Sequence, residues 1–406
     1  MLPLALALSL GASPLYALVV SNNASNDENV AALHFADDDG ARYATLFESQ
    51  GAVVRFLSVL DAETQARFPG LAAKTRPPSR RELLDALAAL NARMKADRAK
   101  GDTPQFVFVF TGHGKRGPAG EGSISLLGEA FTRSELFDQV LAPLQASTAH
   151  LIIDACDSYF FVNQRGGNVP TAPAQAALVT QFLEERTLAK YPDVGVILST
   201  SSEQESHEWG AIKAGVFSHE VVSALLGAAD VNADGRVEYS ELRAFIAAAN
   251  ERVSDPRGKV AMFARAPARD AHAPLVDLSR PMPGSFLFLP ARLEGRYWLE
   301  DAHGVRFADF NLEGDRPLVL LLPGAAELFL RSATTEASVT PAGGRVFDGA
   351  ALAWRAQSVA ARGGSLDDSF RKHLFERPYG ARFYEGFVAS SGELAVAPPA
   401  EADLAP

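Results

Sequence analysis

Two residues in this chain carry side chains suited to nucleophilic catalysis, and each follows an apolar run. His113 lies in Thr111-Gly112-His113-Gly114 after the run 105–110, and Cys156 follows the run 150–154. An imidazole beside a thiol takes up its proton, so the sulfur attacks as a thiolate and the imidazolium then protonates a leaving amine. The spacing predicts a His113–Cys156 dyad. The main-chain N–H groups of Gly114 and Cys156 could form its oxyanion hole. Taken singly, the alternatives are a hydrogen-bonded structural histidine and a small buried cysteine.

A dyad requires elements that bring both residues to one place. Continuously apolar runs alternate with helical segments, which is typical of a parallel sheet covered on both faces. The carboxyl ends of parallel strands share one edge of a sheet, so His113 and Cys156 are expected there together. The predicted strands are 14–20, 52–57, 105–110, 150–154 and 194–199, and the predicted helices are 37–49, 80–99, 132–144 and 174–190.

Composition excludes several other classes of protein. The 406 residues include 47% hydrophobic and 21% charged residues, which is ordinary for a globular protein. The net charge of −11 leaves no basic face for phosphates, so no nucleic-acid partner is predicted. Cys156 is the single cysteine, which excludes an intrachain disulfide and a zinc site built on several thiolates. No organic cofactor is predicted.

The predicted fold class is α/β, a three-layer α/β/α sandwich with a mostly parallel sheet, followed by a small C-terminal β-sandwich. Prolines cluster where helical periodicity stops, which indicates a linker, and short strand-like runs at 285–289, 296–299, 305–311, 318–322 and 328–331 follow it. The predicted organisation is a possible signal segment at 1–13, an α/β domain at 14–265, a linker at 266–284, a β-rich domain at 285–350, and a mixed segment with a disordered tail at 351–406.

The first thirteen residues are almost all apolar. They resemble the hydrophobic core of a secretory signal, with Gly11 and Ser13 suited to cleavage, although no basic residues precede it. This segment is too short to span a bilayer, so no membrane span is predicted. An apolar first strand or helix, or a misplaced start codon, is the alternative. A signal implies a periplasmic or secreted protein, and its absence a cytoplasmic one.

Together the two motifs resemble the caspase-like cysteine peptidases, which include caspases, metacaspases and bacterial relatives. The segment 154–159, Asp-Ala-Cys-Asp-Ser-Tyr, matches the metacaspase form Asp-x-Cys-His-Ser-Gly at three positions and departs from it at Asp157 and Tyr159. The segment 111–114 resembles the metacaspase Ser-Gly-His-Gly. The resemblance covers residues 14–255. It implies a caspase-like sheet and a cysteine endopeptidase acting on protein or peptide substrates.

The resemblance also implies a substrate preference. The metacaspase aspartate that matches Asp154 lies in the S1 pocket, so cleavage after Arg or Lys is expected, through a charge-assisted contact. The alternative is that Asp154 only caps a turn or helix after the fourth strand, and Asp27 or Glu28 could add a second pocket carboxylate. The segment 199–202 resembles the strand that pairs with substrate, which makes Ser199 and Thr200 substrate-binding candidates. Cleavage after Arg165 would separate two subunits in the manner of related enzymes; otherwise Arg165 is simply in a loop.

A second motif points to calcium. Residues 230–241 fit the twelve positions of an EF-hand loop, with Gly235 at the sharp turn and predicted helices at 217–226 and 240–250. Because EF-hands usually pair and no second loop is visible, a turn that binds no metal is the alternative. The predicted ligands are the side chains of Asp230, Asn232 and Asp234, the carbonyl of Arg236, Glu238 through a water, and bidentate Glu241.

Three functions compete at this point. The His113–Cys156 pair favours an active endopeptidase, regulated by calcium and processed by itself. The departures at Asp157 and Tyr159 keep open a non-catalytic caspase-like module that binds partners through its β-domain. A calcium-binding surface protein built on an enzyme scaffold is the third. His219 is expected to be structural or on the surface, like His207, and no oligomeric state is predicted.

Overall fold

The computed structural model describes residues 13–116, 121–155, 188–199, 208–254, 260, 262–324, 326–357, 365–392 and 395–396. The first twelve residues, Cys156 and most of the predicted helix 174–190 therefore lie outside the described residues. Within the described part, no helix is long and apolar enough to cross a membrane.

The centre of the molecule is a six-stranded sheet in the order β12-β8-β7-β3-β1-β2. All neighbours pair in parallel except β12, which runs antiparallel to β8. The predicted mostly parallel α/β sheet is thus confirmed. Its strands are β1 (Leu15–Asn22), β2 (Val53–Leu57), β3 (Gln105–Gly112), β7 (Thr148–Asp154), β8 (Val194–Ser199) and β12 (Met262–Arg265).

Side chains alternate between the two faces of this sheet and pack into separate hydrophobic clusters, which makes the three layers. On one face, Phe106, Phe108 and Phe110 of β3 pack with α4 (Arg80–Ala99). On the other, Val107 and Val109 pack with α1 (Ala36–Ser49), α6 (Val216–Ser223) and α7 (Tyr239–Asn250). Each fully buried side chain of this size stabilises the fold by roughly 1.5–3 kcal/mol, so both faces contribute strongly.

Two elements differ from their predicted bounds for clear reasons. The first strand continues through Ser21 and Asn22, because these residues still pair with Thr111 and Gly112 of β3. The helix predicted at 132–144 is a short helix, α5 (Arg133–Glu135), followed by a π-helical turn that ends at Leu141. Pro143 explains the early end, since Ala142 is still helical but a proline has no N–H to continue the ladder of backbone hydrogen bonds. The helix at 80–99 begins as predicted, with Ser79 Oγ accepting the Glu82 N–H.

Short elements connect the layers. Two short helices follow β2, namely α2 (Ala62–Arg67) and α3 (Pro69–Ala72). A small antiparallel sheet of β4 (Gly114–Arg116), β5 (Gly122–Leu126) and β6 (Glu129–Thr132) follows β3. A two-stranded pair, β9 (Glu208–Trp209) and β10 (Ala214–Gly215), precedes α6, and a second pair joins β11 (Arg236–Val237) to β13 (Val276–Asp277).

The C-terminal part contains two further sheets, and the five strands predicted there are all present. One sheet has the order β17-β14-β20 and the other β16-β15-β18-β19-β21. Helices α8 (Ser365–His373) and α9 (Ala381–Ser391) follow them. The strands are β14 (Ser285–Leu289), β15 (Gly295–Asp301), β16 (Arg306–Leu312), β17 (Leu318–Leu322), β18 (Leu328–Arg331), β19 (Thr335–Val339), β20 (Val346–Asp348) and β21 (Arg355–Ala356).

Candidate active site

A cleft of about 530 Å³ opens at the carboxyl edge of the central sheet. The register explains why His113 and Asp154 meet there. Thr111 of β3 pairs with Asp154 of β7, so His113, two residues after Thr111, lies just beyond the paired strand ends. Gly114, Ala155 and Ser199 also line the cleft. Cys156 and Thr200 lie outside the described residues. Ala155 is the last described residue before Cys156.

Gly112 sets the direction in which His113 leaves the sheet. Its φ of +153° lies in a region that favours glycine, and an added Cβ would be 2.7 Å from the Asn22 carbonyl oxygen. The next turn is held by the Ser125 N–H, which donates to the His113 carbonyl over 2.9 Å. The histidine thus stands on a rigid strand end, with its backbone fixed on both sides.

The imidazole of His113 is half-buried, and no described residue hydrogen-bonds its Nε2 atom. Burial lowers the pKa of His113 below its ordinary value, while the main chain at Ala31 and Asn23 and the charge of Glu208 act in the opposite direction. A neutral imidazole at neutral pH has a free nitrogen that can accept a proton. The arrangement therefore suits a general base.

Asp154 lies at the end of β7 and forms part of the floor of the cleft. It is partly buried, and Ser218 Oγ at the start of α6 donates to its Oδ2 over 2.6 Å. Loss of hydration raises the pKa of Asp154 to about 6, because the hydroxyl and main chain of Ser218, which act in the opposite direction, do not replace the lost water. A cation that binds beside Asp154 would again stabilise its charged carboxylate.

Asp39 is a second carboxylate at this floor, and the sequence interpretation did not identify it. It is buried on α1, and its Oδ2 accepts the Gly215 N–H over 2.8 Å. A Cβ on Gly215 would stand 2.8 Å from Asp39 Oδ2 and 3.3 Å from Asp154 Oδ2, so both carboxylates converge on this glycine. Burial raises the pKa of Asp39 well above its ordinary value, even though the Arg42 guanidinium lies 3.5 Å from Oδ1.

Other acidic candidates have different roles. Asp27 lies at the cleft rim, where Lys115 Nζ contacts its Oδ2 over 2.7 Å and lowers the pKa of Asp27 to about 2. Glu208 lines the cleft and accepts the His34 and Phe35 N–H groups, each over 2.9 Å. Asp39 rather than Asp27 is thus the carboxylate that converges with Asp154 on Gly215. Arg165, Asp157 and His207 lie outside the described residues.

The predicted calcium loop is built as a tight loop between two helices. Asp230 Oδ2 accepts the Gly235 N–H over 3.0 Å, and Glu241 accepts the Val231 and Glu238 N–H groups. The Glu238 side chain pairs with His272 over 2.8 Å. In the described part of the chain, no three His, Cys, Asp or Glu side chains are already gathered as a metal site.

His219 is structural, as expected. It is fully buried, and its Nε2 lies 2.9 Å from Asp309 Oδ2. Asp309 also pairs with Arg296 and Arg306 over 3.2 Å each. This ionic cluster joins α6 to β16, so it holds the C-terminal sheets against the layer that carries the pocket.

Comparisons with known proteins give one family match. A family model described as the caspase domain matches residues 15–276, which is more than half of the chain. No curated protein matches the sequence significantly. Among solved structures, the crystal structure of protein GSU0716 from Geobacter sulfurreducens is 17% identical, with a TM-score of 0.36 and an alignment over 62% of this chain and 93% of that one.

Proposed function

Because this chain belongs to the caspase family of cysteine peptidases, we propose that it is an active endopeptidase that cleaves after Arg or Lys. Cys156 is the proposed nucleophile and His113 the proposed acid–base partner. The observation that carries the proposal is the cleft itself. It places a half-buried imidazole with a free nitrogen at the same sheet edge as two carboxylates.

The chemistry follows from these positions. His113 Nε2 takes the thiol proton, and the Cys156 sulfur attacks the peptide carbonyl carbon. The main-chain N–H groups of Gly114 and Cys156 hold the negative oxygen that forms. The C–N bond then breaks, the imidazolium gives its proton to the leaving amine, and a thioester remains. Water, deprotonated by His113, hydrolyses that thioester and restores the thiol.

The acidic floor supports a basic side chain at P1. A guanidinium or ammonium entering beside Gly215 would meet the carboxylates of Asp154 and Asp39 in a site largely removed from water. Among the described residues that line the cleft there is no arginine, so an acidic P1 side chain would find no guanidinium there. The charge of Glu208 makes the same entrance still less suited to an acid.

Turnover of short peptides tests this proposal. Purified protein is offered fluorogenic peptides that differ only at P1, with Arg, Lys or Asp, and Cys156→Ala serves as the control. We expect cleavage of the Arg and Lys peptides alone, and none by the control. Cleavage of the Asp peptide alone would contradict the pocket assignment. Turnover no higher than the control on every peptide would contradict the activity.

The same preference makes Arg165, which precedes Gly166, a proposed site of self-cleavage. Intact masses of the wild-type protein and the Cys156→Ala variant, purified in parallel, report this event. A break after Arg165 in the wild type alone is the expected result. An identical intact mass in both samples would remove self-processing from the proposal and leave cleavage of other proteins unaffected.

A further inference from the structure

The loop 230–241 is the strongest feature that peptide cleavage does not use. The Gly235 N–H donates to Asp230 and the Val231 N–H donates to Glu241, which holds the first and last acidic side chains against the loop backbone. Gly235, with φ +78°, makes the sharp turn. These contacts fix the shape of the loop, but they do not use every oxygen of its acidic side chains.

A buried oxygen without a partner points to a missing ligand. Asp230 is only 3% exposed, and its Oδ1 has no hydrogen-bond partner among the described residues. The other oxygen of the same carboxyl group accepts the Gly235 N–H from within the loop, so Oδ1 also lies inside it. An unsatisfied buried carboxylate oxygen costs free energy. A cation at the loop centre would satisfy it.

The remaining donors suit a hard divalent cation. Each oxygen of Glu241 accepts one N–H group, which leaves each with a further lone pair for a bidentate contact. Asp234 and Asn232 lie on the same turn, where the Asn232 amide donates to Asp234 over 3.1 Å. Carboxylate, amide and carbonyl oxygens in a loop of this length are the ligands that Ca²⁺ takes.

A partner strand replaces the second EF-hand that such loops usually need. Residues 236–237 pair antiparallel with 276–277, and the Leu278 N–H donates to the Gly235 carbonyl over 2.6 Å. Arg316 Nε also donates to the Asp230 carbonyl over 2.9 Å. The loop is therefore supported from outside by the segment that precedes the C-terminal sheets and by those sheets themselves.

The loop and the acidic pocket share one helical segment. Residues 216–228 begin at the cleft, where Ser218 holds Asp154, and end two residues before Asp230. The last turns, at 224–228, are π-helical and contain Gly227 at φ +115°. Such an irregular end gains stability when the loop after it is fixed.

We propose that the loop binds one Ca²⁺ ion and that the bound ion stabilises the helical segment 216–228. The binding of calcium would thereby regulate the pocket that recognises the basic side chain, an inference that rests on the proposed peptidase function. The three carboxyl groups are not yet gathered closely enough to hold the ion alone. Binding therefore draws Asp230, Asp234 and Glu241 together.

Calorimetric titration of the full chain with Ca²⁺ tests the site. We expect the wild type to bind one equivalent with a dissociation constant between about micromolar and millimolar, which is within the range that such loops cover. Asp230→Asn keeps the shape of the side chain and removes its charge, and should weaken binding at least about tenfold. Asp85→Asn, which neutralises an exposed carboxylate on α4, is the matched control and should bind as the wild type does.

Hydrogen exchange measured by mass spectrometry tests the coupling. With Ca²⁺, the amides of 216–228 should exchange about fivefold more slowly than with a chelator, while those of 80–99 stay unchanged. No uptake of Ca²⁺ by the wild type, or equal uptake by the Asp230→Asn variant, would overturn the site. Uptake with unchanged exchange at 216–228 would overturn the coupling. Neither readout needs peptide cleavage, so an inactive protein would contradict the proposed function alone.

Discussion

Replacing His113 by glutamine is expected to lower kcat on an arginine peptide by about 10³-fold, the range of general acid–base catalysis. Glutamine fills similar space and can hydrogen-bond, yet it cannot take the thiol proton or return it to the leaving amine. Because Nε2 has no described partner in the folded protein, its loss should leave the fold intact. The measurement is kcat at saturating peptide, with the melting temperature recorded beside it.

His303→Gln is the matched control, since His303 is exposed in a turn of the C-terminal part and does not line this cleft. It should keep wild-type kcat. An unchanged kcat in the His113→Gln variant would remove His113 from the chemistry. A large fall in its melting temperature would instead assign this histidine a structural role.

Replacing Asp154 by asparagine is expected to lower kcat/KM for an arginine peptide by about 100-fold, or about 2.7 kcal/mol. The amide preserves the acceptor for Ser218 but removes the charge that would pair with the guanidinium. The loss should be far smaller for a peptide with a neutral P1 side chain. Comparison of kcat/KM for the two peptides, in both proteins, measures the effect.

The pH dependence supplies an independent check on Asp154. Its pKa is raised to about 6, so the carboxyl group is neutral below that pH and charged above it. Since kcat/KM reports groups of the free enzyme, the wild-type value for the arginine peptide should rise as pH increases through about 6. In the Asp154→Asn variant only the rise that a peptide with a neutral P1 side chain also shows, and that His113 causes, should remain. An unchanged profile would show that another group controls the binding of the basic side chain.

Gly215→Ala tests whether the basic side chain occupies the space beside Gly215 in the same pocket. Its Cβ would stand 2.8 Å from Asp39 Oδ2, in the space that a guanidinium must enter. We expect KM for the arginine peptide to rise at least about tenfold, because the new methyl group occupies the floor and displaces the carboxylates. Gly70→Ala, at an open position with nothing within 4 Å, is the control. Equal KM values in the wild type and the Gly215→Ala variant would show that the basic side chain binds elsewhere.

The parts of the site that lie at strand ends were predictable from the sequence. Continuous apolar runs implied a parallel sheet, and in such a sheet the carboxyl ends share one edge. The register of Thr111 with Asp154 shows this arrangement in the described residues. The placement of His113 and Asp154 at this edge therefore followed from local signals, whereas the pocket role of Asp154 was only implied by the family resemblance.

Asp39 was not predictable in the same way. It stands in the run Asp37-Asp38-Asp39 at the start of α1, where acidic residues are ordinary because they favour the helix N-terminus. Only packing shows that Asp39 faces Gly215, which lies 176 residues further along the chain. The same is true of Ser218, whose contact with Asp154 spans 64 residues.

The loop 230–241 shows the limit of a motif. Its spacing predicted the ligand set, but the partner strand 276–277 lies in a segment that the sequence indicated only as a linker. Proline clusters and lost periodicity cannot distinguish a free linker from a chain that pairs over a short stretch. The support for the loop, and the contact of the preceding helix with Asp154, emerged only from the fold.

Covalent labelling of Cys156 is the most direct test of a reactive Cys156 beside a pocket for a basic side chain. Matched peptidyl acyloxymethyl ketones carrying Arg or Asp at P1 are incubated with the full chain, and the adduct is located by mass spectrometry. We expect one adduct, on Cys156, with the Arg reagent, and strongly reduced labelling after His113→Gln or Asp154→Asn. Preferential labelling by the Asp reagent, or a Cys156 that reacts with neither, would contradict it.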